Sequence, residues 1–324
     1  MKVIIPAAGV GTRLRPHTHT IPKPLLHVAG KPILGHILDR VEKLDPEETH
    51  IITGFMGDKI KEYVAEKYKP KTNFIEQKKL SGLGYAVHLA LEQIDAGPVL
   101  IILGDTVVET DMQAFLKSGD NVLGVLNVDD PKRFGIAELK DGIVVGLVEK
   151  PEQPKSNLAI IGLYYVSDSA LLKKQLNRLI SEDRRTRGEY QLTDALQGMI
   201  EDGVRFKPYT VSGWYDCGKR ETLIATNRHL LDSLPAPRPI EGSLIIPPAY
   251  IATSAKIVGS IIGPYVSVSD EAVVQDSIIQ NSIVGYQAEV YKARLTDSLI
   301  GHNARVMGEY RVLNVGDSSE IGYF

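Results

Sequence analysis

The sequence predicts an α/β chain in two parts: a mixed sheet flanked by helices over residues 1–234, then a short parallel β-helix over residues 243–324. Three observations carry this expectation. Strand-like and helix-like stretches alternate through the first part, a proline run interrupts the chain near residue 235, and beyond it branched apolar residues return every five or six positions.

In chain order, Val3–Ala7 is a short apolar run that ends in glycine, and Ile33, Ile37, Leu38, Val41 and Leu44 follow at helical spacing. Pro32 stands at that helix start, where its missing N–H costs nothing. Thr49–Thr53 reads as a strand, Asp58–Tyr68 as a helix, Phe74–Glu76 as a strand and Gly82–Ile94 as a helix. The apolar run Val99–Leu103 ends in Gly104-Asp105. Such alternation implies a mostly parallel sheet with helices on both faces. Strands dominate from Asn121 to Tyr165, so the later sheet is expected to be mixed, and helices return at Ala170–Ile180, Leu192–Glu201 and Arg220–Leu234. The segment Leu234-Pro235-Ala236-Pro237-Arg238-Pro239 cannot continue a helix and marks residues 235–242 as a linker.

Beyond the linker the apolar residues are Ile251, Ile257, Ile262, Val268, Val274, Ile279, Val284, Val290, Leu295, Ile300 and Val306. Small residues accompany them: Ala255, Ala272, Ala288 and Ala304 in six-residue steps, and Ser260, Ser277, Ser282, Ala293 and Ser298 in five-residue steps. One short strand per step with a small residue at each tight corner is the pattern of a parallel β-helix. A β-sandwich would show longer and less regular turn spacing. Three steps complete a coil, so the region holds three or four coils. The Pro-rich entry, the polar tail Asn314–Tyr323 or a second subunit is expected to cover the exposed ends, which points to a homo-oligomer.

Composition narrows the function. The 324 residues carry 37 Lys+Arg and 40 Asp+Glu, a formal charge of −3, and 43% are hydrophobic. This balance argues against a nucleic-acid binder that depends on overall charge. The apolar runs are too short to cross a bilayer, and no signal peptide is visible. The lone cysteine, Cys217, cannot make an internal disulfide, in keeping with a reducing, cytoplasmic compartment.

The first chemical motif is Ala7-Ala8-Gly9-Val10-Gly11-Thr12-Arg13-Leu14-Arg15-Pro16. A glycine-rich turn lets backbone N–H groups approach phosphate oxygens, and Arg13 adds a fork-shaped cation. Leu14 falls where a dinucleotide fingerprint needs its third glycine, and no Gly-Lys-Ser/Thr follows to make a Walker loop. The alternative is a tight strand-to-helix turn with a surface arginine. Lys23-Pro24 follows a Pro-bearing segment that must fold back toward the loop. The histidines His17, His19, His27 and His36 lack a convincing metal-ligand spacing.

Taken in order, the motifs resemble the sugar-1-phosphate nucleotidyltransferases, which include glucose-1-phosphate thymidylyltransferases and uridylyltransferases. The resemblance runs through Gly9–Pro16, Lys23-Pro24-Leu25, Gly30–Ile33, Glu76-Gln77 with Gly82–Ala86, and Leu103-Gly104-Asp105. It continues through Phe134–Ala137, Val148-Glu149-Lys150-Pro151, Ile161–Tyr164, Arg187–Asp194 and Gly213–Gly218. It implies a Rossmann-like mixed-sheet nucleotidyltransferase domain over 1–234 and a left-handed β-helix over 243–324.

The reaction implied is attack of a sugar-phosphate oxygen on the α-phosphorus of dTTP or UTP, with release of pyrophosphate. Such transfers depend on charge neutralisation and in-line positioning. In the roles the resemblance implies, Arg13 and Lys23 hold the triphosphate, and Asp105 and Asp216 bind Mg²⁺. Ala7, Ala8, Gly9, Gly11 and Thr12 form the nucleotide loop, and Gln77 and Gly82 read the pyrimidine edge. Lys150 orients the sugar phosphate, Glu149 accepts from sugar hydroxyls, and Gly135, Gly162 and Arg187 fall on the sugar-phosphate side. Pro6, Tyr85, Thr106 and Phe134 depart from the commonest family pattern without removing a charge. Trp214 is expected to fill core. An inactive regulatory relative should have lost some of Arg13, Lys23, Asp105, Lys150 and Asp216, and all are present. An acyl-transferring bifunctional enzyme would carry a much longer β-helix.

Overall fold

A computed structural model describes residues 1–68 and 71–308; the tail Asn314–Tyr323, expected to cap the β-helix, lies outside the described residues. The chain splits into two compact units, Met1–Thr226 and Asn227–Phe324, and the boundary falls inside the last helix, ahead of the proline run.

The first unit runs β1 (Lys2–Pro6), β2 (His27–Val28), β3 (Lys31–Pro32), α1 (Ile33–Glu42), β4 (Glu48–Thr53), α2 (Gly57–Lys67) and β5 (Thr72–Glu76). It continues with α3 (Leu83–Leu91), β6 (Val99–Ile102), β7 (Thr106–Glu109), α4 (Met112–Lys117), β8 (Asn121–Asn127), β9 (Gly135–Lys140), β10 (Ile143–Glu149) and β11 (Leu158–Val166). The elements α5 (Ser169–Ser181), α6 (Leu192–Glu201), β12 (Lys207–Thr210), β13 (Gly213–Asp216) and α7 (Arg220–Asp232) follow.

The main sheet has the order β10-β9-β11-β6-β1-β4-β5, with β8 pairing β11 and β12. β1 is parallel to β4 and β6, whereas β11 is antiparallel to β6, β8 and β9, giving the mixed sheet the sequence pattern anticipates. Both faces of β1 are covered. Ile4 belongs to the buried cluster that holds the apolar sides of α3, α5 and α6, and Val3 and Ile5, which point the other way, are also fully buried. Continuous apolar runs such as Val99–Ile102 are what a strand buried on both faces requires.

The chain after the first glycine loop departs from the simplest expectation. It enters three short 3₁₀ turns, Thr12–Leu14, His17–His19 and Lys23–Leu25, in place of an α-helix. Pro16 and Pro24 break any helical run there and let the chain double back.

The second unit stacks its short strands into three four-stranded parallel sheets, as a left-handed β-helix requires. Ile251 pairs with Val268, Ile257 with Val274 and Ile262 with Ile279, a rise of 17 residues per coil. The next coil rises by 16, pairing Val268 with Val284, Val274 with Val290 and Ile279 with Leu295. The apolar residues read from the sequence form the inner columns, with Val268, Val274, Ile279, Val284 and Val290 fully buried. At a corner, the Ser277 hydroxyl donates to the Gln275 carbonyl of its own coil at 2.8 Å and accepts the Ala293 N–H of the next at 3.0 Å. A small side chain at that position therefore also satisfies buried backbone groups between coils.

Candidate active site

The nucleotide loop is wedged between neighbouring strand ends. Ala7 N–H donates to the Ile52 carbonyl at 2.8 Å, and Gly104 N–H to the Pro6 carbonyl at 2.9 Å. A Cβ on Gly104 would stand 2.8 Å from the Pro6 carbonyl oxygen, so only glycine admits this approach. Gly11 is left-handed at φ 67°, and its Hα side faces Lys23 Cβ and Thr18 Cγ2, each 3.0 Å from where a Cβ would be. The Thr18 hydroxyl donates to the Gly11 carbonyl at 2.9 Å, holding the doubled-back segment against the loop.

That fold-back delivers Lys23. The residue is 6% exposed, and its ammonium donates to Asp105 Oδ2 at 2.5 Å. Asp105 follows Gly104 just beyond β6, and β7, which begins at the next residue, pairs antiparallel with β13 so that Thr106 faces Asp216. Cys217 N–H donates to the Asp105 carbonyl at 3.4 Å, closing the register at the end where both aspartates emerge. Gly218 makes room for the charges: a Cβ there would lie 2.8 Å from both Arg13 Nη2 and Asp216 Oδ1. The Cys217 thiol is fully buried, and burial pushes it up to about 12, so it stays protonated and inert as a nucleophile.

Of these groups Arg13, Lys23 and Asp105 line an open cleft of about 500 Å³, together with Ala7, Ala8, Gly9, Gln77 and Gly82, whereas Gly11 and Asp216 do not line it. Gln77 is 5% exposed; its backbone N–H donates to the Thr53 carbonyl at 2.7 Å and its side-chain amide to the Gly82 carbonyl at 3.2 Å. Gly82 takes φ 108° with the Tyr190 carbonyl oxygen 2.6 Å from a would-be Cβ. Thr12 is exposed at the first residue of its turn and does not line the cleft.

The remaining expected residues form a second group. Glu149 at the end of β10 accepts the Thr193 hydroxyl at 2.7 Å and lies 3.1 Å from the Lys150 ammonium. A Cβ on Gly135 would press to 3.0 Å against both Glu149 Oε2 and Thr193 Oγ1. Lys150 is left-handed at φ 44°, with its N–H donating to the Phe134 carbonyl at 3.0 Å. Arg187 and Gly188, at φ 55° and 82°, form a tight two-residue turn closed by reciprocal Thr186–Glu189 bonds of 2.9 and 3.2 Å. Positive φ at both central residues defines a type I′ turn, and its tip sends Arg187 Nη2 to the Lys150 carbonyl at 2.9 Å.

Two contacts join the groups. Gly162, at φ 82° in an irregular stretch of β11, packs on Leu103, which lines the first cleft. Phe134, beside Gly135, meets Trp214 of β13 edge-on at 5.0 Å. Trp214 is half-buried, and this contact gives it a packing role between the two groups. Four residues went unread in the sequence: Leu80, Leu83 and Glu189 line the cleft, and Thr193 fixes Glu149. Leu83 falls inside the Gly82–Ala86 motif, and Glu189 and Thr193 inside the Arg187–Asp194 motif, which were the available signals; Leu80 sits in an ordinary loop that offered none.

Among the described residues no three His, Cys, Asp or Glu side chains cluster to hold a metal by themselves. Two carboxylates beside an open cleft do suit a hard cation that completes its shell with water and phosphate oxygens.

The nucleotidyl transferase family model matches residues 2–233. The chain is 31% identical over 338 residues to a glucose-1-phosphate thymidylyltransferase of Streptomyces griseus, covering 94% of this chain and 93% of that one. It is 37% identical over 240 residues to the bifunctional protein GlmU of Methanocaldococcus jannaschii, covering 72% of this chain and 55% of that longer protein. A solved UDP-glucose pyrophosphorylase complexed with UDP-glucose superposes with a TM-score of 0.64 at 26% identity, over 72% of this chain and 99% of the other.

Proposed function

The chain belongs to the nucleotidyl transferase family, and on that premise we propose that it transfers a nucleotidyl group from dTTP or UTP to a hexose 1-phosphate, glucose 1-phosphate foremost. The observation that carries this reading is the convergence of Arg13, Lys23 and Asp105 on one cleft whose wall includes the buried Gln77 amide, with Asp216 beside Arg13 across Gly218.

A sugar-phosphate oxygen forms a bond to the α-phosphorus, and the bond from that phosphorus to the bridging oxygen breaks, its electron pair leaving on pyrophosphate. The loop N–H groups and the Arg13 and Lys23 cations bind the triphosphate and favour the charge that accumulates on the leaving group. Asp105 and Asp216 would hold Mg²⁺, which supplies charge neutralisation on the phosphates when bound. The Lys23–Asp105 pair keeps a nearly buried ammonium satisfied until phosphate oxygens reach it. Lys150 binds the sugar phosphate, while Glu149, held by Thr193, accepts from sugar hydroxyls. The Gln77 amide has both a donor and an acceptor, which suits the N3–H and carbonyl edge of uracil or thymine.

A non-catalytic scaffold is disfavoured because every expected charge is kept. The reading extends to a homo-oligomeric, cytoplasmic protein whose β-helix serves assembly and that binds neither nucleic acid nor membrane; no helix among the described residues is long and apolar enough to cross one.

The test is pyrophosphate release across a panel of nucleoside triphosphates and sugar 1-phosphates, with Mg²⁺ or chelator and with Asp105→Asn as control. Turnover confined to dTTP or UTP with a hexose 1-phosphate, and lost in chelator and in the variant, is expected. Silence from a folded protein across the whole panel overturns the reading in favour of a scaffold.

A further inference from the structure

We propose that Asp183, Arg185 and Tyr190 form a positioning clamp outside the cleft that fixes the base-reading amide of Gln77 and so sets nucleotide discrimination. The inference deepens the pyrimidine reading above and rests on it.

The amide is oriented by its donation to the Gly82 carbonyl at 3.2 Å. Whatever fixes Gly82 therefore fixes which end of the amide faces the base. Gly82 is held by the main chain of Tyr190. Tyr190 N–H donates to the Ser81 carbonyl at 2.8 Å, and Gly84 N–H donates to the Tyr190 carbonyl at 2.8 Å. Between these bonds the Tyr190 carbonyl oxygen presses within 2.6 Å of a Cβ position on Gly82, a fit available only to glycine. The strand-like bonding of 81–84 to Tyr190 leaves the Gly82 carbonyl little play as long as Tyr190 stays put.

Tyr190 stays put through its side chain. The hydroxyl donates to Asp183 Oδ1 at 2.5 Å and accepts Arg185 Nη2 at 2.9 Å. The Arg185 guanidinium lies 4.3 Å from the centre of the Tyr190 ring, and its Nε donates back to Asp183 Oδ1 at 2.8 Å. Each member thus touches the other two, and a planar guanidinium that both stacks and forks fits this triangle as an ammonium does not. The Tyr190 hydroxyl and Arg185 hold the Asp183 carboxyl below its ordinary range, in keeping with an ionised acceptor. Asp183 and Arg185 are exposed, and neither lines the cleft. Their route to the cleft therefore runs through the Tyr190 hydroxyl that both of them bond.

Loosening the clamp frees the amide to turn over. An inverted amide offers its donor and acceptor in the order that cytosine prefers. Discrimination between pyrimidines is therefore the sensitive readout, whereas sugar-phosphate binding should not move.

The experiment compares kcat and KM for the preferred triphosphate and for CTP in the wild type, Arg185→Ala, Arg185→Lys, Tyr190→Phe and Gln77→Ala. Arg185→Ala should raise KM for the preferred triphosphate about 5- to 10-fold and narrow its kcat/KM advantage over CTP by a similar factor, the scale of one lost charge-assisted bond. KM for the sugar 1-phosphate should be unchanged in Tyr190→Phe, which keeps the Arg185 Nη1 bond to the Gly188 carbonyl at 3.4 Å, and Arg185→Lys should recover only part of the loss of Arg185→Ala. If Gln77→Ala abolishes discrimination while Arg185→Ala and Tyr190→Phe keep it, the clamp is wrong and the pyrimidine reading stands. If the wild type does not discriminate, or Gln77→Ala discriminates as well as the wild type, both fall together. Should Arg185→Ala not fold, Arg185→Lys and Tyr190→Phe decide the matter by the same ratio.

Discussion

The two units use left-handed backbone for opposite purposes. In the β-helix, Glu271, Asp276, Asn281, Gln287, Lys292, Asp297 and Asn303 all have φ between 41° and 57° and recur every five or six residues. In the first unit, Lys150 and Arg187 adopt the same conformation at φ 44° and 55°. A non-glycine residue in that region costs about 1–3 kcal/mol, so surrounding contacts must hold it there. In the repeat the holding force is the coil itself: the chain must turn at every corner, and ladder bonds on either side set the turn. At the site the holding force is specific to one place, namely the Lys150 N–H bond to Phe134, the Glu149 ion pair and the Arg187 bond to the Lys150 carbonyl. The same backbone conformation is thus a geometric necessity in the repeat and, at Lys150 and Arg187, a way of aiming a charge.

Glycine substitution at two left-handed lysines puts this contrast to its strongest trial. Lys150→Gly relieves the backbone and deletes the cation, so turnover should fall about 100- to 1,000-fold, the scale of a removed charge stabiliser. Lys292→Gly relieves the same strain at an exposed corner, where the gain and the entropy cost of glycine roughly cancel, and stability should stay within about 1 kcal/mol with turnover intact. Steady-state kinetics beside chemical denaturation reads both. Equal losses of turnover in the two variants would erase the distinction.

A core deletion sharpens it from the other side. Ile279 is fully buried in the inner column between Ile262 and Leu295. Ile279→Ala should destabilise the second unit by about 2–5 kcal/mol and leave kcat at the wild-type value under conditions where the protein is folded. A parallel collapse of kcat in the folded variant would show that the repeat shapes the site.

The smallest effect is a pH dependence confined to the first unit, which holds the only cysteine. Burial raises the Cys217 thiol from 9.0 to about 12. The unfolded chain ionises first, so the contribution is present below pH 9.0 and is lost as pH climbs toward the folded value. By pH 10 the loss should approach about 1.4 kcal/mol relative to neutral pH, read as the difference between the wild type and Cys217→Ala in denaturant titrations. Identical alkaline slopes in the two proteins would mean the thiol reaches solvent.

The β-helix was legible almost residue by residue. Its inner columns, its change from 17 to 16 residues per coil and its serine corners follow from steps of five and six that any reader of the chain can count. The helices were nearly as plain: Leu192–Glu201 carries the bounds that its spacing suggests. The site was legible only as fragments. Arg13, Lys23, Asp105 and Asp216 stood out beside glycines and prolines, yet Glu189 and Thr193 did not, because within the Arg187–Asp194 motif nothing local sets them apart from their neighbours.

The sequence alone therefore determined what repeats over short distances. Apolar spacing dictates which face is buried, since each inward residue is followed by the next within one step of strand or turn. The tertiary structure decided what meets across long ones. Lys23 reaches Asp105 over a separation of 82 residues, Gly218 admits Arg13, and Tyr190 pins Gly82. Those contacts depend on parallel crossovers that bring several strand ends to one place, and a crossover imposes no period on the residues it brings together.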